Sequence, residues 1–280
     1  MFETTAPAKI NLSLRILGKR DDGFHEVDTT MVRLDGLCDS LTFSEADAFS
    51  LTCDDAGLPV DETNLVTKAV RAYEQATGAP CCHHIHLNKR IPNGAGLGGG
   101  SSDAASTLRA LNESNPNPLP VDRLLEIAAG LGSDVPFFLG PPVALCTGRG
   151  EILAPAPAPP RMDILLLKPS FPVLTPDAYG RWQHAPALSG IPYAEQNLDG
   201  IILVNDLERP VFAKHRFLAE MKLWLLQRDE VAAALLCGSG STLFAVLHVG
   251  SDPAALAAAA RHELDPILWH AVVSIATMGS

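Results

Sequence analysis

The chain has 280 residues, 47% of them apolar, and carries 32 acidic against 21 basic side chains for a net charge of −11. That length supports a sizeable core in one large domain or two small ones. The acidic balance argues against binding nucleic acid or an anionic membrane, either of which needs a basic field. No apolar run is long enough to span a bilayer, and Lys9, Asn11 and Arg15 break up the first apolar stretch, so neither a membrane span nor a signal peptide is expected.

Residues 6–17 alternate, with Ala8, Ile10, Leu12, Leu14 and Ile16 on one face and Lys9, Asn11, Ser13 and Arg15 on the other, which predicts a half-buried strand. A turn over Lys19 to Gly23 leads to a second strand around Val27–Leu34. Leu65, Val66, Ala69, Val70 and Tyr73 share one side of a predicted helix over Asn64–Thr77. In the run Cys81–His86, period-2 alternation sets Cys82, His84 and His86 on one strand face. No second ligand cluster stands at zinc-like spacing, so a polar strand face is favoured over a metal site. The six cysteines form no C-x-x-C pair and read as reduced thiols of a cytoplasmic protein.

Five glycines fall within seven positions at Gly94, Gly96, Gly98, Gly99 and Gly100, free to take φ > 0 and to approach a ligand closely. A helix follows, with Ala104, Ala105, Leu108 and Leu111 as its apolar stripe and Ser101 or Ser102 as its expected N-cap. Unpaired amides at that helix start make an anion site without basic side chains, and a phosphate fits it. Gly94, Gly96 and Gly99 also match the G-x-G-x-x-G dinucleotide fingerprint, which leaves a nicotinamide-dependent oxidoreductase as an alternative. Against it, Lys89-Arg90-Ile91-Pro92 is no apolar strand, and the candidate ribose-binding acid, Glu113, falls in an expected polar loop over 112–118. The P-loop pattern fails because Gly100 holds its lysine position.

A helix from Val121 to Leu131 ends at Gly132, and Gly132-Ser133-Asp134-Val135-Pro136 turns into an apolar segment. The proline-rich run Ala154–Pro160 cannot continue a helix or a central strand, which sets a boundary between regions 1–154 and 161–280 with a linker over 155–160. Beyond it the chain predicts a strand at Ile164–Lys168, helices near Lys214–Arg228 and Pro253–Glu263, and a strand at Leu243–Leu247 behind the turn Cys237–Thr242. Strands and helices mix without regular βα alternation, the signature of two α+β lobes.

Pro7-Ala8-Lys9-Ile10-Asn11-Leu12, the loop Gly94–Ser102 and Gly238-Ser239-Gly240-Ser241-Thr242, in this order and spacing, resemble the GHMP kinase superfamily of small-molecule kinases. Asp22-Gly23-Phe24-His25-Glu26, the triple glycine Gly98–Gly100 and Gly132–Phe137 are similar to its branch that phosphorylates a cytidyl sugar alcohol for isoprenoid synthesis, rather than homoserine, mevalonate or a sugar. The resemblance implies an N-terminal ribosomal S5-like lobe and a C-terminal ferredoxin-like lobe around a cleft, ATP with Mg2+, a small-molecule cytidyl partner, and a monomer or weak homodimer. It implies that Lys9 and Asp134 act on the reacting hydroxyl, with Asp134 as base. Pro92, Gly94, Ala95, Gly96, Leu97, Gly98, Gly99, Gly100, Ser101 and Ser102 would hold ATP, with Asn64 at the adenine and Ser102 also on the metal. Asn11, Phe24, His25, Thr175, Tyr179, Gly238, Ser239 and Gly240 would meet the acceptor, its cytosine lying between Phe24 and Tyr179. Without that resemblance, Lys9 reads as a solvated lysine on a strand face and Asp134 as the cap of a turn.

Overall fold

The computed structural model describes residues 1–275. Its spine is a long antiparallel ribbon of β1 (Phe2–Lys19) and β2 (His25–Glu45), paired from Phe2 opposite Phe43 to Lys19 opposite His25. The register shifts between Pro7 and Lys9, between Asn11 and Ser13, and between Ile16 and Gly18. Such bulges sharpen the local twist and re-aim the side chains beside them. The second strand runs well past the expected Leu34, because its outer half gains partners on both edges. β4 (His83–Asn88) pairs with Ser40–Glu45 on one edge and Phe2–Pro7 of β1 with Phe43–Cys38 on the other, while β12 (Trp269–Ile275) pairs at Leu34 and Asp35.

The main sheet path places β10 (Val231–Leu236), β11 (Leu243–Leu247) and β7 (Asp163–Lys168) next to β12, then β2 and β1, and ends with β9 (Ile201–Asn205) and β8 (Gln196–Leu198). Off that path, β3 (Ser50–Cys53) pairs with β4, while β5 (Val143–Thr147) joins β2 and carries β6 (Ile152–Pro155). The structure is thus α+β. Pro155, expected in the linker, closes β6 instead; among the described residues β6 pairs only with β5, and an edge position tolerates proline.

One core lies under α1 (Leu65–Thr77), α2 (Gly99–Ser114), α3 (Val121–Leu131) and α4 (Val135–Leu139), around Phe43, Val70, Leu108 and Phe137. Another gathers Leu165, Phe212, Leu218, Leu225 and Ala257 beneath α6 (Glu208–Lys214), α7 (Arg216–Leu226) and α8 (Pro253–Glu263). A third joins Ile10 and Val32 to Ile164, Leu166 and Phe244, so strands from both halves of the chain share apolar burial. The helix expected over 214–228 is broken at His215, whose φ of −117° and ψ of 76° leave helical space.

Two local expectations are corrected. Gly98, at φ 74°, is the N-cap of α2, and the helix begins at Gly99, so Ser101 and Ser102 lie inside its first turn. Only glycine takes that left-handed geometry without strain, which lets the helix start earlier than a serine cap would. Glu113 sits in the last turn of α2 rather than in a loop. On β4, His84 and His86 bond Ser50 and Thr52 of β3 as a polar strand face. Among the described residues, no group of three or more His, Cys, Asp or Glu side chains is placed to hold a metal ion. None of the described helices is long and apolar enough to cross a membrane.

Candidate active site

Lys9 lies between two bulges of β1, and its side of the strand is covered rather than solvated. Lys9 and Asn11 are each only 3% exposed. The cover is the glycine loop, tied down by a bond from the Lys9 amide to the Leu97 carbonyl at 2.9 Å. A buried ammonium needs partners. Lys9 Nζ donates to Asn11 Oδ1 at 2.7 Å, Asn11 Nδ2 donates to Thr29 Oγ1 at 2.7 Å, and the Thr29 hydroxyl donates to the Ser13 carbonyl at 2.6 Å. This relay aims the ammonium at Asp134, whose Oδ2 stands 3.4 Å away.

Asp134 occupies the N-cap position of α4 but makes no capping bond with its side chain, which is 34% exposed. The carboxylate is therefore free of the structural job a turn would give it. At the other end of α4, the Arg33 guanidinium donates to the carbonyls of Phe137, Phe138 and Gly140, and Arg109 donates to Phe138. Cations suit the carbonyl end of a helix, and these two fix the short helix that carries Asp134. Burial, then the neighbouring Arg109 charge, push Arg33 down to about 10.

The amides of Gly99, Gly100 and Ser101 open the helix α2, and among the described residues no backbone carbonyl accepts from them. They border a cavity of about 430 Å3 lined by Pro92, Gly94–Ser101, Asn64, Lys89, Asp103, Asp134 and Thr175. Asn64 is the N-cap of α1: its Oδ1 accepts from the Val66 amide at 2.8 Å and its Nδ2 donates to the Pro59 carbonyl at 2.7 Å. Its polar atoms are thus engaged in local structure while it lines the cavity.

Beneath the loop lies a buried charge cluster that motif reading passes over. Lys89 Nζ bonds Asp39 and, at 2.7 Å, Asp103 Oδ2 in the first turns of α2. Asp39 Oδ1 also accepts from the amides of Arg90 and Ile91, at 2.5 and 2.8 Å. The cluster clamps the chain entering the loop to the helix leaving it. Burial, against the pull of Lys89, pushes Asp103 above the usual carboxylate range. Among the described residues, Asp103 Oδ1 and the fully buried Ser102 Oγ have no hydrogen-bond partner.

A second glycine turn leans on the first. A Cβ on Gly238 would lie 3.3 Å from Lys9 Nζ, so the turn passes over the ammonium with no room for a side chain. Asn205 Nδ2 holds it by donating to the carbonyls of Leu236 and Gly238 at 2.8 and 2.7 Å. Ser239 Oγ and Thr175 Oγ1, at the start of α5 (Thr175–Arg181), are 2.8 Å apart.

A second cavity, of about 440 Å3, has Lys9, Asn11, Phe24, His25, Asp134, Arg149, Thr175, Tyr179, Gly238 and Ser239 in its wall. Phe24 is 48% exposed at the tip of the β1–β2 turn, where Asp22 Oδ1 accepts from its amide at 3.0 Å. The His25 ring lies 5.2 Å from that of Tyr179 and 6.0 Å from that of Trp182. Burial, then the nearby Lys19 charge, lower the His25 pKa and favour the neutral ring. Burial, then the Asp134 carboxylate, push the Tyr179 phenol up, so it stays protonated.

The two cavities share Asp134 and Thr175. One side offers free amides for an anion, the other an aromatic wall that includes Lys9, and Asp134 borders both. Of the residues expected here, Ser102 and Gly240 line neither cavity: Ser102 is enclosed in α2, and Gly240 is buried. Thr29, Lys89, Asp39, Asp103, Asn205 and Arg149 carry no motif, and only the tertiary fold brings them in.

Residues 64–140, which hold the first glycine loop and Asp134, match the GHMP kinases N terminal domain. The chain is 42% identical, over 86% of its length and 84% of the relative's, to the 4-diphosphocytidyl-2-C-methyl-D-erythritol kinase of Methylacidiphilum infernorum. It is 37% identical over 86% of its length to the chloroplastic enzyme of that name from Arabidopsis thaliana, and it spans 66% of that longer protein. A solved 4-(cytidine 5'-diphospho)-2C-methyl-D-erythritol kinase superposes with a TM-score of 0.80 at 33% identity, covering 99% of this chain and 100% of the other.

Proposed function

The chain belongs to the 4-diphosphocytidyl-2-C-methyl-D-erythritol kinases, a family of GHMP kinases, and on that premise we propose how its two cavities divide the reaction. It is a small-molecule kinase that moves the γ-phosphoryl group of ATP to the 2-hydroxyl of its cytidyl substrate. The triphosphate lies in the glycine cavity on the amides of Gly99, Gly100 and Ser101, since the protein's net negative charge offers it no general attraction. The acceptor lies in the aromatic cavity, with its cytosine between Phe24 and Tyr179 and its base edge at His25.

Its hydroxyl then faces Asp134. The carboxylate accepts the hydroxyl proton as the oxygen bonds to the γ-phosphorus, and the bond from that phosphorus to the bridging oxygen breaks to release ADP. Lys9 holds Asp134 in line and supplies positive charge where negative charge gathers. Asn11 and Thr29 keep the ammonium pointed there. Thr175, Ser239 and Gly238 border the transfer region. Mg2+ would bring charge neutralisation to the triphosphate, bound chiefly by phosphate oxygens and water. Ser102, expected as a protein ligand of that metal, is enclosed in α2 and lines neither cavity, so its hydroxyl does not fit that role.

In this assignment region 1–154 supplies the ATP site and region 161–280 closes the acceptor site with Thr175, Tyr179 and Ser239. The unpaired cysteines fit a reducing cytoplasm. The observation that carries the reading is that the anion cavity and the aromatic cavity share Asp134, whose carboxylate lies 3.4 Å from Lys9 in the wall of the aromatic one. Purified protein with ATP and Mg2+ is expected to release ADP with 4-diphosphocytidyl-2-C-methyl-D-erythritol and not with homoserine, mevalonate or galactose. Turnover with one of those three, or a change in nicotinamide absorbance, overturns it.

A further inference from the structure

The wall of the aromatic cavity contains an arginine that no motif marks. The Arg149 guanidinium carbon lies 4.6 Å from the centroid of the Phe24 ring. Phe24 alone is a poor platform for a base, because half of it faces water at the tip of the turn between β1 and β2. Arg149 is anchored on the far side. Its Nη2 donates to the Ala129 carbonyl in the last turn of α3 at 3.2 Å, and its Nε lies 3.4 Å from Glu151 Oε1. The turn that carries it is itself fastened to the start of β2, where the Val27 amide donates to the Gly148 carbonyl at 2.8 Å. A chain of contacts therefore runs from helix α3 through the guanidinium to an exposed aromatic ring.

Resting on the cytidyl-substrate reading above, we propose that Arg149 is a positioning residue for base recognition, holding one face of Phe24 so that the other is presented to the pyrimidine. A planar guanidinium on an aromatic face combines cation–π attraction with stacking, which an ammonium does not reproduce. A ring already fixed in place loses less freedom when a base stacks on it. Phe24 has no hydroxyl through which a hydrogen bond could orient it, so the guanidinium supplies the restraint.

The test is a double-mutant cycle on CDP affinity, measured by calorimetry on the full chain, with ATP affinity measured in parallel. Arg149→Ala is expected to weaken CDP about three- to tenfold and leave ATP unchanged. In a Phe24→Ala background the same substitution is expected to have no further effect, since its action runs through the ring. Arg149→Gln, which keeps an amide donor for the Ala129 carbonyl, guards against a folding artefact and is expected to show a smaller loss of CDP affinity with the wild-type melting temperature. An equal loss in both backgrounds would mean that Arg149 touches the diphosphate directly, and overturns the inference. Tighter CDP binding on removing Arg149 would mean that it occupies the base's place, and overturns it too. Failure of the wild-type protein to bind CDP would instead sink the cytidyl reading on which the inference stands.

Discussion

Gly96 and Cys237 meet so closely that a Cβ on Gly96 would stand 2.0 Å from the Cys237 carbonyl oxygen. This contact sets the spacing of the two glycine turns, and the Thr242 amide bonded to the Ala95 carbonyl at 3.2 Å holds it. Gly96 also lies at φ 77°, where a side chain is strained. Gly96→Ala is therefore expected to cost about 1–3 kcal/mol of stability and to raise KM for ATP. Gly100→Ala is the contrast, because its Cβ would meet nothing nearer than Leu65 Cδ1 at 3.5 Å. Its melting temperature is expected at or slightly above wild type, so a loss of ATP affinity would report phosphate approach alone. Wild-type kinetics in both variants would contradict the phosphate-cradle account.

The cluster under the loop predicts a large stability effect. Lys89→Met leaves the buried carboxylates of Asp39 and Asp103 facing each other without their cation. Stripping the partner from buried charges typically costs about 3–5 kcal/mol, and denaturant melts measure it. A loss under 1 kcal/mol would show that the cluster is not a clamp.

His25 gives a pH dependence. Burial and then Lys19 hold its folded pKa below the ordinary 6.5, so the fold favours the neutral ring. That contribution is complete above the unfolded value and is lost as pH falls through the lower folded one. Only the neutral ring can both donate and accept at a base edge. KM for the cytidyl substrate is thus expected to stay flat above pH 6.5 and to climb below it, with KM for ATP steady. His25→Gln is expected to flatten the profile. A wild-type KM unchanged down to pH 5 would remove His25 from base recognition.

Phe24→Ala tests the aromatic wall. A stacked base gains about 1–3 kcal/mol per face, so KM for the cytidyl substrate is expected to rise by at least fivefold. KM for ATP should move by less than a factor of two. Equal changes in the two would assign Phe24 to packing.

Much of the architecture is legible locally. The helices at Leu65–Thr77, Val121–Leu131 and Pro253–Glu263 and the strand at Leu243–Leu247 follow from periodicity and end signals that sit within each segment. The outer half of β2 is not legible, since Leu37 to Glu45 becomes a strand only through its pairing with β4 and β1. The short strands β8 and β9 depend likewise on each other and on β1. At the site, the glycines and Asp134 stand in recognisable runs. The residues that orient them do not: Lys89 reaches Asp39 fifty residues away, and Arg33 reaches Phe138 across 105. Such pairs leave no periodic trace. Lys9 shows the same limit, because alternation places it on a polar face but cannot reveal that a loop covers that face.

The central claim is that a phosphate cradle on one side and an alcohol on the other converge on Asp134. Single-turnover phosphoryl transfer by Asp134→Asn, with ATP and the cytidyl substrate both saturating, tests it most directly. The account predicts transfer slowed by about 10²–10⁴ with ATP affinity within twofold of wild type. Transfer at the wild-type rate in that variant would contradict it.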